Sequence, residues 1–309
     1  MSGVKGLVLA AGLGTRLRPL STLYPKPLIP FLGSSPLEIA LGRLSAAGLT
    51  DAAVNSHYLP DHVASLLERN PFGQRLYQSH EPMLLGTGGV YGPLRGWLGA
   101  SDLLVCNGDI VSDFDLIALL AYHRTGGFIA TMGLLPAVVA GESAVYAKDG
   151  RTIAIGRNLP QAQTSGATAH NFACIQVLSP AFLDLLPTSG ISDVISQAYQ
   201  VAFARGLPVG GFVQSGMWHD IRDPQFYWLA VKDVMARRGL RNFIARGAAV
   251  ATGARIGAAV VVEHGARVDR GAQIENAVIF PGAVVGEGQI VRNQIVLPAP
   301  HPAITLNEG

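Results

Sequence analysis

Over roughly the first 235 residues, short apolar runs alternate with stretches of helical spacing. GLVLAA (6–11), DAAVNSH (51–57) and SDLLVCNGD (101–109) read as strands. PLEIALGRLSAAG (36–48), PDHVASLLERN (60–70) and FDLIALLAYHRTGG (114–127) repeat their apolar residues as one face of a helix does, and glycine closes the first and the third. A β-α-β-α succession predicts an α/β, Rossmann-like domain over residues 1–240, with a mostly parallel sheet and helices on both faces. Ligands of such sheets sit beyond the carboxyl ends of the strands. The loop at 12–26 and the NGD at 107–109 both fall there.

From residue 244 the pattern changes. Ile244, Val250, Ile256, Val262, Val268, Ile274 and Phe280 recur every six residues, and the frame then slips by one to Ile279, Val285, Val291 and Leu297. Gly-Ala pairs at 247–248, 253–254, 265–266, 271–272 and 282–283 mark turns between them. A period of six is neither helical nor simply alternating. It predicts a short left-handed parallel β-helix of hexapeptide repeats over 241–309, roughly three triangular coils.

Composition narrows the function. Of 309 residues, 49% are hydrophobic and 14% charged, which is the balance of a globular chain. A net charge of +2 argues for neither nucleic acid nor a membrane surface as partner, so any cationic site is local. Cys106 and Cys174 lie in apolar stretches without metal-ligand spacing, as buried thiols of a reducing compartment do. The opening MSGVKGLVLAAG has too short an apolar run for a signal peptide, and no stretch reaches the ~18 apolar residues of a membrane span. The expected location is cytoplasmic.

The first loop, LAAGLGTRLRPLSTLYPKPLIP (9–30), is glycine-rich and cationic. It lacks the third glycine of a dinucleotide fingerprint and the G-K-[ST] of a P-loop. Gly12 and Gly14 permit backbone N–H groups to turn inward as an anion-binding nest. Arg16 adds a forked donor for phosphate oxygens, and Pro25 and Pro27 stiffen the chain around Lys26. A glycine-rich turn with solvated cations is the alternative.

The run closely resembles the signature of the sugar-1-phosphate nucleotidylyltransferases, LAAGxGTRLxPLT followed by PKPLxP, with Ser21 where threonine is usual. The resemblance continues through EPMLLGTGG (81–89), VCNGDIVSDFD (105–115) and GMWHDIRDP (216–224). The hexapeptide tail is similar to that of the mannose-1-phosphate guanylyltransferase branch. NSHYLPDHVASLLER and NGDIVSDFD are also similar to N-acetylmuramate-1-phosphate uridylyltransferases.

The resemblance implies attack of a sugar 1-phosphate on the α-phosphorus of a nucleoside triphosphate, with release of pyrophosphate. The Gly12, Gly14 and Thr15 backbone would then wrap the triphosphate, Arg16 would hold the departing pyrophosphate, and Lys26 would bridge the α-phosphate and the incoming phosphate. The base is expected against Leu9, Ala11, Gly12, Gly86 and Thr87. Glu81 stands where thymidylyl- and uridylyltransferases often have glutamine. As a pure acceptor it suits the adjacent N1–H and 2-amino donors of guanine, unless it is a surface glutamate. Mg²⁺ is expected on Asp109 and Asp220, each otherwise a turn or cap aspartate, while Asp223 is expected to cap the helix that starts at Pro224.

The sugar side departs from the family. IGRNLPQAQ (155–163) has no E-K-P, leaving Arg157 to meet the phosphate; Ala173-Cys174 replaces Thr-Gly or Ser-Gly; DIRDP replaces D-x-G-T-P. Asn171 and Cys174 are expected to border the sugar. The expected reaction is Mg²⁺-dependent guanylyl transfer from GTP to mannose 1-phosphate in a homodimer or higher homo-oligomer. The alternatives are a UTP-dependent enzyme for an N-acetylated hexose 1-phosphate, or a weakly active regulatory subunit that binds nucleotide sugars.

Overall fold

A computed structural model describes residues 3–138, 142–157 and 159–307. Its contacts divide the chain into two units. Residues 1–12 with 40–218 form one, and 13–39 with 219–309 form the other. Residues 13–39 group by contact with residues far along the chain.

The first unit is built on a nine-stranded sheet. In spatial order its strands are Arg75–His80, Asp51–Ser56, Val4–Leu9, Asp102–Asn107, Thr168–Leu178, Ala130–Leu135, Val209–Val213, Arg151–Gly156 and Ala144–Lys148. The first four run parallel, as their β-α-β spacing predicts. Thr168–Leu178 then runs antiparallel to both neighbours, and so does Arg151–Gly156. The expectation of a mostly parallel sheet is therefore corrected to a mixed one. FACIQVL is apolar in either direction, so its pattern carried no sense of strand direction. Leu7, Val105, Met132, Leu134 and Leu178 pack with Tyr91, Phe182 and Tyr199 in the core of this unit.

Pro36–Ala46, Pro60–Arg69 and Leu116–Thr125 are helices, as their spacing predicts. Asp115 caps the last, accepting from the amides of Ile117 (3.0 Å) and Ala118 (2.9 Å). Among the described residues no helix is long and apolar enough to cross a membrane.

In the second unit, short strands stack in parallel. Asn242–Ile244 pairs with Val260–Val262 at an offset of 18 residues, and Val260–Val262 pairs with Ala277, Val278 and Ile279 at 17. Further along, Ile279 pairs with Val296, again at 17. Val250, Val268 and Val285 stack in a second column, and Ile256, Ile274 and Val291 in a third. Two positions differ from the six-residue count. Ile279 rather than Phe280, and Val296 rather than Leu297, continue the first column, because each of these turns is one residue shorter. Val262, Val268, Ile274, Ile279 and Val285 share the core of this coil. The helix Pro224–Arg237 belongs to the same unit, and Asp223 caps it as expected, accepting from Gln225 N (2.9 Å) and Phe226 N (3.0 Å).

Candidate active site

In the second unit the signature loop makes two tight turns. Gly14 adopts φ 61°, and Leu17 N bonds its carbonyl at 3.0 Å, closing a 3₁₀ turn over Thr15–Leu17. A Cβ on Gly14 would lie 2.9 Å from Cβ of Lys26. Glycine is thus needed here twice, for its backbone angle and for the approach of the lysine stem. Thr15 and Arg16 are exposed. Lys26 opens the second turn, Lys26–Leu28, set by Leu28 N to Pro25 O at 2.8 Å. Its side chain is 12% exposed and its ammonium lies 3.6 Å from the Asp220 carboxylate. The structure therefore brings Lys26 and Asp220 together, though 194 positions separate them in the chain. His219, next to Asp220, reaches Asp233 through Nε2 at 2.9 Å.

In the first unit Val4–Leu9 delivers Leu9, Ala10 and Ala11 to the sheet's carboxyl edge, where Gly108 N bonds Leu9 O at 2.8 Å. Asp109 follows in the turn after Asp102–Asn107 and is half-buried. Gly86 (φ 75°) opens a short helical turn that ends at Gly89. Residues 191–194 clamp that turn. Gly88 N donates to Ser192 O (2.8 Å), Ser192 N to Leu85 O (2.9 Å), and Thr87 Oγ1 to Asp193 Oδ2 (2.9 Å). Val194 N in turn donates to Thr87 Oγ1 (3.1 Å).

Glu81 is not the surface glutamate of the alternative reading. It is 2% exposed; Oε1 accepts from Asn55 Nδ2 (2.8 Å) and Oε2 from Leu85 N (2.9 Å). Asn55 Oδ1 accepts from Ala10 N at 2.6 Å. One buried relay thus ties the first strand's edge, the second strand and the Gly86 turn together. Glu81 carries one hydrogen bond from the scaffold on each oxygen.

On the sugar side, Arg157 is exposed at the end of Arg151–Gly156; Asn158, in the same stretch, lies outside the described residues. Asn171 is buried and donates to Phe172 O (3.1 Å). Cys174 adopts φ 58° beside a register shift between Met132 and Leu134. The position at which the family resemblance has glycine thus keeps the backbone that glycine favours, with a thiol added. Neither cysteine is in a disulfide. Burial pushes the Cys106 thiol up to about 11.

Asn55, Ser192 and Asp193 escaped the sequence reading. Asn55 left one signal, a polar residue inside an apolar strand run. Ser192 acts through its backbone and Asp193 through its carboxylate, and neither left a signal.

For a metal ion, the donor set is what decides. Among the described residues no three or more His, Cys, Asp or Glu side chains gather into a cage. Asp109 in the first unit and Asp220 in the second each offer a hard-oxygen carboxylate, the donor type that Mg²⁺ takes beside phosphate oxygens and water.

Residues 5–142 match the family model described as nucleotidyl transferase. The chain is 29% identical over 275 residues to a mannose-1-phosphate guanylyltransferase of Mycobacterium tuberculosis, covering 84% of this chain and 75% of that one. It is 27% identical over 273 residues to a UTP–glucose-1-phosphate uridylyltransferase of Synechocystis, covering 83% and 70%. Among solved structures, HddC of Yersinia pseudotuberculosis, complexed with GMP-PN, has a similar fold. The TM-score is 0.60 at 21% identity, over 74% of this chain and 99% of that one.

Proposed function

The chain belongs to the sugar-1-phosphate nucleotidyltransferases, and from that premise we propose that it transfers guanylyl from GTP to mannose 1-phosphate. A phosphate oxygen of the sugar attacks the α-phosphorus; that P–O bond forms as the bond to the β-phosphate bridge breaks, and pyrophosphate leaves. Two polyanions meet, so catalysis is mainly positioning and neutralisation of charge.

The observation that carries the reading is the Lys26–Asp220 pair at 3.6 Å. A half-buried ammonium on a proline-stiffened turn suits the α-phosphate, and the exposed Arg16 suits the departing pyrophosphate. The backbone at Gly12, Gly14 and Thr15 would wrap the triphosphate. Leu9, Ala11, Gly86 and Thr87 would border the base, and Arg157, Asn171 and Cys174 the sugar phosphate. Asp109 and Asp220 would hold Mg²⁺, which when bound draws charge from the phosphates.

The guanine and mannose assignments lean on the mycobacterial relative. The cyanobacterial relative supports the second reading, uridylyl transfer to a hexose 1-phosphate. The stacked strands of 242–296 are read as a left-handed hexapeptide β-helix ending a catalytic region of about 240 residues, in a cytoplasmic homo-oligomer. Its exposed Ile244 (49%) is the first place to look for a pairing surface, by mass in solution.

The test is pyrophosphate release with Mg²⁺ over a grid of nucleoside triphosphates and sugar 1-phosphates, with Asp109→Asn as control. Turnover with GTP and mannose 1-phosphate, lost in the control, supports the reading. Turnover with UTP alone selects the second. Silence with nucleotide-sugar binding intact indicates a regulatory subunit.

A further inference from the structure

The segment that carries Lys26 is held at three points, two on the coil and one on the helix Pro224–Arg237. Ile244, Val262 and Ile279 stack in register, so the residues that follow them, Ala245, Glu263 and Phe280, occupy one equivalent position in successive coils. All three are buried. Phe280 packs against Tyr24 (ring centroids 6.3 Å) and Tyr227 (6.0 Å). The Tyr227 hydroxyl donates to Pro30 O at 2.8 Å, and its ring meets Phe31 edge-on.

Glu263 makes the third attachment. Phe31 and Ser34 close a two-residue turn through Phe31 N to Ser34 O (2.8 Å) and Ser34 N to Phe31 O (3.2 Å). Both central residues have positive φ, 52° at Leu32 and 77° at Gly33. That conformation turns successive amides the same way, as an anion nest does. The anion in this nest is the chain's own. Gly33 N lies 3.1 Å from Glu263 Oε2 and 3.3 Å from Oε1, and the Leu32 amide pulls on the pKa of the same carboxylate. Glu263 is 2% exposed, and a leucine at φ 52° needs such an external hold. Five residues separate Lys26 from Leu32, and Pro27 and Pro30 stiffen that interval.

We propose that Glu263 is a positioning residue for nucleotidyl transfer, acting through the 31–34 turn to hold the segment that aims Lys26. The inference rests on the function proposed above. It makes the coil part of the catalytic scaffold. Tyr24 and Tyr227 are the titratable groups that face Glu263, and burial raises the pKa of both, with the carboxylate adding to it. Burial likewise pushes Glu263 up to about 7, against the pull of the Gly33 and Leu32 amides. The carboxylate therefore gains its proton just below neutrality and loses acceptor strength toward both amides.

The experiment uses the full chain as wild type, Glu263→Gln and Tyr227→Phe. It reads kcat and KM from pH 5.5 to 9, and hydrogen exchange of the peptide spanning 24–34 at matched pH. Glutamine offers one uncharged acceptor and a donor that opposes the amides. The expected result is a kcat tenfold or more lower in Glu263→Gln at pH 8, with nucleotide KM within threefold. An acidic limb near pH 7 is expected in the wild type and absent from the variant, and 24–34 exchanges faster in the variant. Unchanged kcat and unchanged exchange overturn the proposal, as does an acidic limb that persists in the variant. If Glu263→Gln does not fold, Tyr227→Phe decides: a kcat loss without a KM change supports anchoring, and unaltered kcat overturns it. A wild type silent on every substrate pair, with 24–34 still loosened by Glu263→Gln, sinks the function and keeps the anchor. Turnover with no loosening does the reverse.

Discussion

At the scale of single residues, the cations and the relay around Asn55 make separate predictions. Lys26→Met removes a donor expected to act on charge that develops during transfer. Its loss is expected to lower kcat ~10²- to 10³-fold, about 3–4 kcal/mol, with a smaller change in KM, as initial rates will report. A kcat within threefold of wild type would remove Lys26 from the chemistry. Asn55→Ala acts on stability instead. It leaves Ala10 N and one Glu81 oxygen buried without their partner, a loss of about 2–3 kcal/mol measurable as a lower urea midpoint. An unmoved midpoint would mean that the relay is not structural. Arg16, Lys26, Asp109 and Asp220 were legible because a long motif carried them. The fate of Glu81 was not, because the group that claims it lies on another strand, 26 residues away.

At the scale of elements, the Gly86–Gly89 turn is shaped by a loop a hundred residues downstream. A Cβ on Gly88 would sit 2.4 Å from Ser192 Oγ and 3.0 Å from the backbone of Asp193 and Val194. Gly88→Ala must therefore push residues 192–194 outward and release Thr87 from Asp193. The expected outcome is a destabilisation of ~1–3 kcal/mol and a nucleotide KM raised roughly tenfold, with kcat less affected. Equal KM values in a titration of initial rates would detach the turn from nucleotide binding. Helices and parallel strands were readable from spacing, since each is a local pattern. The sense of Thr168–Leu178 was not, because strand direction depends on pairing partners. The coil was legible as a period with a one-residue slip at Ile279, but the contacts of Phe280 with Tyr24 and Tyr227 emerge only from the structure.

At the scale of the whole molecule, Glu263 sets stability and activity against each other. Its folded pKa, about 7, lies above the ordinary 4.5 because burial outweighs the Gly33 and Leu32 amides. A raised carboxylate contributes its stability in full below the unfolded pKa and loses it as pH rises through the folded one. Between pH 4.5 and 8 that loss amounts to ~3 kcal/mol. Urea midpoints of wild type and Glu263→Gln at pH 5 and pH 8 will read it: the variant gains relative to wild type at the higher pH. Equal differences at both pH values would mean that Glu263 does not titrate in that window. The ionised form is thus the costlier one for the fold and the one that grips the turn. The division of the chain has a consequence during synthesis. Residues 13–39, with Arg16 and Lys26, group by contact with residues that begin at 219, about 180 positions later. At a ribosomal pace of ~5–20 residues per second, the loop waits roughly ten to forty seconds for its partners. A nascent chain that already holds its first sheet is therefore still without a working loop, and the capacity to handle nucleotides arrives late in translation rather than growing with the chain.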